Sequence, residues 1–195
     1  MQRHLFAAVI LSASVASAAP VAVAGLDPLP RHIPATCAAL AKVPDSALIP
    51  GPTLAAHVSV ANCMAEVGMN AVAQTGDDAS IAKLDQAVAA SNDILDSVIR
   101  AGDPYWKVVA ENAKLDNYES MIVRERVSIP GADFAAHAAL EPKLARWQED
   151  AKQTLAQIAE LAHAYPALAQ RDPVISNVIA RAMEQTRTPQ MATRR

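Results

Sequence analysis

Residues 144–165 read LARWQEDAKQTLAQIAELAHAY. Leu144, Trp147, Ala151, Leu155, Ile158, Ala162 and Tyr165 follow one another at spacings of 3, 4, 4, 3, 4 and 3. An α-helix turns about 100° per residue, so this series stays on one side of the cylinder. A strand would need alternation with period two, which the stretch lacks. Glu149, Asp150 and Lys152 occupy the other side. This is the seam of a helical bundle, and it decides the fold class.

Working outward, Pro142 is expected to divide the region. Proline lacks an N–H and clashes with the preceding turn. A short helix over 132–140 and a longer one reaching about Ala164 are therefore predicted. Downstream, RDPVISNVIARAMEQ (171–185) has an Asp-Pro start at Asp172 and Pro173 and predicts a shorter fifth helix over 173–186. TRTPQMATRR (186–195) shows no apolar periodicity, so 188–195 reads as a disordered basic tail. Upstream, Asp103 and Pro104 supply the N-cap and first position of a helix over about 104–127, with Val108, Val109, Leu115, Tyr118, Met121 and Ile122 on its apolar side. Ile81, Leu84, Val88, Leu95 and Val98 share one face of a helix over about 78–101, capped by Asp77 or Asp78 and closed by Gly102. Pro52 opens a first long helix that ends near Gln74, before Gly76. The loop PDSALIPGP (44–52) and two possible helical turns at 35–43 precede it.

The composition agrees. Roughly a fifth of the residues are alanine, the best helix former, and aromatics make up only 4%. Four long helices with short links predict an up-down all-α bundle, with short extra helices on the N-terminal side and at the C-terminus. The bundle domain spans 35–187. No strand and no fixed-period repeat is expected.

The chain opens MQRHLFAAVILSASVASAAPVAVAG (1–25). A basic n-region at Arg3, an apolar stretch from Leu5 and the small residues Ala16-Ser17-Ala18 read as a signal peptide over 1–19. Pro20 and so much weakly hydrophobic alanine argue against a stable membrane span. An extended Pro-rich leader, 20–34, follows. Without Arg3 the remaining chain carries 16 basic and 20 acidic residues, about −4, which makes nucleic acid an improbable partner. A periplasmic or secreted location follows from these readings.

Cys37 and Cys63 are the chain's two cysteines. An even count in an oxidising compartment favours a structural disulfide. It would close a loop of about 27 residues, which the chain-entropy model values at about 3.5 kcal/mol. The stretch ANCMAEVGMN (61–70) also raises a soft-metal question. His57, Cys63 and Met69 are six residues apart and point about 120° from one another, so they do not converge on one copper ion. Met64 and Met69 read as packing residues.

Two cofactor readings need ligands from several helices. A di-iron carboxylate bundle uses two E-x-x-H motifs and two more glutamates. Glu160 and His163 supply one such motif, and Glu66 and Glu111 are candidate single ligands, but a second E-x-x-H is absent from the sequence. Haem b needs only an axial pair, for which Met64 or Met69 with His163 is the candidate. No nucleophile elbow, phosphate loop or zinc-protease motif occurs, so no catalytic centre is expected. Tyr105 and Trp106 are rare aromatics at adjacent helical positions, and an exposed pair would mark a partner contact.

The sequence thus reads as an exported, non-catalytic helical protein of the cell envelope. It would bind a protein or small ligand, or serve a structural role. The competing reading is a periplasmic bundle that carries haem b or a metal.

Overall fold

The computed structural model describes residues 23–42, 51–75, 78–128 and 134–192. Five helices make up most of it: α1 (Pro52–Thr75), α2 (Asp78–Arg100), α3 (Pro104–Ser128), α4 (Phe134–Ala164) and α5 (Pro173–Ala192). Short 3-10 helices lie at Ala38–Ala41 and Pro166–Gln170, and no strand occurs among the described residues. The all-α bundle expected from the seam is what the chain forms. The signal-peptide stretch and the candidate caps Asp77 and Gly76 lie outside the described residues.

The starts and stops of α2 and α3 follow local chemistry. Asp103 Oδ1 accepts from the backbone N–H of Tyr105 at 2.9 Å and of Trp106 at 3.1 Å, which satisfies two donors at the start of α3. Gly102, at φ +90°, turns the chain out of α2. Asp172 Oδ1 caps α5 in the same way, accepting from Val174 N–H at 2.7 Å.

Three features differ from the sequence expectation. Pro142 lies inside α4 and does not divide it. Its ring removes one intrahelical hydrogen bond, yet Pro142 and Ala138, whose carbonyl loses that partner, are both exposed, so the loss falls on the solvent side of the helix. A 3-10 turn, Pro166–Gln170, links α4 to α5 and buries Leu168. Finally, α5 continues to Ala192, into the stretch expected to be a disordered tail. The stretch 185–192 includes Pro189 and two threonines, so local helix propensity does not explain this extension.

Neighbouring helices pack in the order α1–α2, α2–α3, α3–α4 and α4–α5, and α3 also touches α1 and α5. α3 therefore contacts all four other helices. On one side of it lies a core of Leu54, Val60, Met64, Leu95, Val98 and Trp106. On another, Val108, Leu115, Leu155, Ile158, Ile175 and Ile179 join α3 to α4 and α5. A third cluster gathers Leu84, Val88, Met121, Leu144 and Trp147. The seam residues Leu144 to Ile158 are buried as read, whereas Tyr165, at its end, is 46% exposed. Gly68 lets α1 and α2 approach closely, since a Cβ there would come within 2.7 Å of Ala87 Cβ and 3.2 Å of Leu84 Cα.

The leader residues from Val23 onward are not free. Val23, Leu26, Leu29 and Ile33 pack against the first core cluster. His57, buried on α1, holds this segment in place. Its Nε2 lies 3.1 Å from the Asp27 carbonyl and its Nδ1 lies 2.8 Å from the Thr53 carbonyl. Asp27 also pairs with Arg100 at the end of α2.

Candidate functional site

Cys37 and Cys63 form a disulfide with their Cα atoms 5.7 Å apart. It fixes the Ala38–Ala41 turn against the middle of α1, and Cys37 is fully buried. The bond belongs to the scaffold.

Tyr105 and Trp106 meet edge to face with ring centroids 5.3 Å apart. Trp106 is 7% exposed and sits in the core beside Gly51, where a Cβ would come within 2.8 Å of its Nε1. Burial takes Trp106 off the surface, so the aromatic contact face read from the sequence does not include it. Tyr105 is half-buried. Its hydroxyl donates to Asp172 Oδ2 at 3.3 Å, and the Arg171 guanidinium lies 5.3 Å from its ring. Burial raises the Tyr105 pKa, the Asp172 charge and hydrogen bond add to this, and Arg171 opposes it. The pair ties the start of α3 to the start of α5.

The cofactor ligand sets are dispersed. Met64 packs in the first core cluster and Met69 against the third, while His163 is exposed in the last turn of α4. Glu66 is exposed in a groove between α1 and α3 with Met69, Asn112 and Asp116. Glu111 and Glu160 line a different cleft. Among the described residues, no three His, Cys, Asp or Glu side chains are grouped to hold a metal ion. The set Glu66, Glu111, Glu160 and His163 is therefore not assembled, because its members face different grooves.

The cleft that does hold Glu111 and Glu160 is the chemically distinctive one. It occupies about 320 Å³ between the end of α2, the first half of α3 and the end of α4. Ile99, Leu161 and Ala164 supply apolar wall, and Lys107, Glu111, Gln157 and Glu160 supply polar groups. The helix register explains the depth of Glu111. Val108, Glu111 and Leu115 are spaced 3 and 4, so Glu111 takes a core position on α3. It is 4% exposed. Gln157, from α4, turns its amide to the carboxylate; with its nitrogen toward Glu111 it donates at 2.8 and 3.1 Å to the two oxygens.

A buried carboxylate resists ionisation because the charged form loses its hydration. Burial pushes the Glu111 pKa up to about 7, against the pull of the Lys114 ammonium and with a smaller push from Asp96. The Lys114 ammonium is the strongest charge opposing that shift, and Glu111 shares it with Asp96, to whose Oδ1 it donates at 2.7 Å. Burial pulls the Lys114 pKa down, but the Asp96 hydrogen bond and the Glu111 and Asp96 charges outweigh it, and the net shift is upward. Glu111 thus has one neutral hydrogen-bonding partner and shares the charge of Lys114 with Asp96.

Two other grooves among the described residues lack this combination. The groove under α4 that contains Trp147 is lined by Asp85 and Asp150 with Lys143 and Arg146, two acids and two bases. In the α1–α3 groove, Glu66 and Asp116 are exposed to water.

The sequence pointed to Glu111 and Glu160, but as ligands of a di-iron centre. It missed Gln157, Lys107, Ile99 and Leu161. A charged residue in register between Val108 and Leu115 was the available signal. No protein-family model matches the chain, and neither a curated protein nor a solved structure matches it.

Proposed function

We propose that this is an exported, non-catalytic binding protein of the cell envelope that takes a small organic ligand in the cleft between α2, α3 and α4. The observation that carries the reading is the nearly buried Glu111 carboxylate on an otherwise partly apolar cleft. A folded chain rarely keeps a buried acid without a charged partner unless the site has a use for it. The signal-like N-terminus supports export, and so does the disulfide, which persists in oxidising compartments. Among the described residues, no helix is long and apolar enough to cross a membrane.

Thermal-shift screening of small organic molecules tests the proposal, with Ala164→Trp as the comparison. Ala164 is an exposed residue on the cleft wall, so a tryptophan there fills the cleft without entering the core. Compounds that stabilise the wild type and leave Ala164→Trp unmoved are expected. Hits that act equally on both proteins would overturn the reading. So would a Soret band or stoichiometric metal in protein purified from its native compartment.

A further inference from the structure

We infer that the ligand of this cleft is an organic ammonium ion with a short apolar chain, and that Glu111 is its counter-ion. The inference rests on the proposal that the cleft is a ligand site, and it adds the ligand's chemistry.

The charges around the cleft lead to this class. From α3 come Glu111, Lys107 and Lys114; from α4, Glu160; from α2, Asp96. Lys114 is bonded to Asp96 while its charge also acts on Glu111, so these two residues together add no net charge. What lines the cleft itself is two acids and one base. Formally the cleft is short of one positive charge. The deepest of its charged groups is an acid, while Glu160 is exposed and solvated. An entering ammonium would therefore find its strongest partner at the bottom, where low polarity strengthens the pairing. With its nitrogen on Glu111, the Gln157 amide presents its oxygen as a further acceptor for the ammonium N–H groups. Ile99, Leu161 and Ala164 are apolar surface for a few methylenes. A carboxylate ligand of the same size would instead place like charge against Glu111 and Glu160.

Binding in this mode is coupled to a proton. The free protein near pH 7 holds Glu111 protonated in about half of its molecules. The ammonium selects the ionised form, so the Glu111 proton leaves to solvent as the ion pair forms. No covalent bond changes. Affinity for the cation should rise about fifty-fold from pH 5 to pH 7 and level off above pH 8.

Isothermal titration of the disulfide-intact protein with hexylammonium, hexanol and hexanoate tests this, in two pH 7 buffers of different ionisation enthalpy. The expected result is that hexylammonium binds most tightly and releases about half a proton. Glu111→Gln should weaken hexylammonium at least tenfold, abolish the release and leave hexanol binding intact. The inference is overturned, with the cleft still a ligand site, if hexanol or hexanoate binds as well as the amine and Ala164→Trp removes that binding. It is equally overturned if Glu111→Gln keeps the amine affinity. If none of the three probes binds at any pH from 5 to 9, the ammonium assignment and the cleft reading fail together.

Discussion

The two sides of α3 are built on opposite terms. Toward α1, α2 and the leader, buried polar groups have partners. A ring N–H of His57 donates to a backbone carbonyl, Ser97 Oγ donates to the Ile94 carbonyl at 2.7 Å, and the cysteines are bonded to each other. Toward α4, a carboxylate is buried with an amide as its hydrogen-bonding partner and a lysine charge that it shares with Asp96. The bonded polar groups of the first side contribute to stability, whereas the buried carboxylate detracts from the stability that the apolar core around it supplies. Such a local penalty within a consistent fold is the physical mark of a site.

The contrast is open to substitution, and the largest effect belongs to the first side. Trp106→Ala should destabilise the protein by about 3–5 kcal/mol, because it opens a cavity among Leu54, Val98 and their neighbours. Urea unfolding measures it; a loss below about 1 kcal/mol would mean that Trp106 is not core. Replacing both Cys37 and Cys63 with serine should cost about 3.5 kcal/mol by the loop-closure estimate. The same unfolding curve reads this change.

On the second side the sign reverses. The Glu111 carboxyl has an ordinary pKa of 4.5 in the unfolded chain and about 7 in the fold. Between these values the folded state binds more proton, so stability falls as pH rises and the penalty is complete above pH 7. Glu111→Gln should therefore match the wild type below pH 4.5 and be more stable by about 3 kcal/mol at pH 8. Equal stabilities at pH 8 would show that the carboxylate is neutralised within the protein. The smallest effect lies where both sides meet α5. Asp172→Ala removes the cap of α5 and the acceptor of Tyr105, for a loss of about 1–2 kcal/mol in thermal unfolding.

The fold was legible because its signals are local. Asp103 and Gly102 mark ends that capping geometry enforces, and the Leu144–Ile158 stripe states its own period. Pro142 misled because a helix tolerates proline more readily where the orphaned carbonyl lies on an exposed face, and exposure is a tertiary property. Trp106 misled for a related reason. Adjacent residues at a helix start face different ways, and only packing against Gly51 and α1 decides which one is inside. The cleft was half legible. Glu111 interrupts an apolar register and is visible as such, but the amide that meets it comes from α4, 46 positions along the sequence. No local pattern joins the two.

The central claim is that Glu111 is a buried acid awaiting a cation, and NMR titration of its isotope-labelled carboxyl reads that most directly. A pKa of about 7 is expected in the free protein, falling toward the ordinary carboxylate range when hexylammonium is present at saturation. A carboxyl that titrates near 4.5 in the free protein, and does not move with the amine, would contradict it.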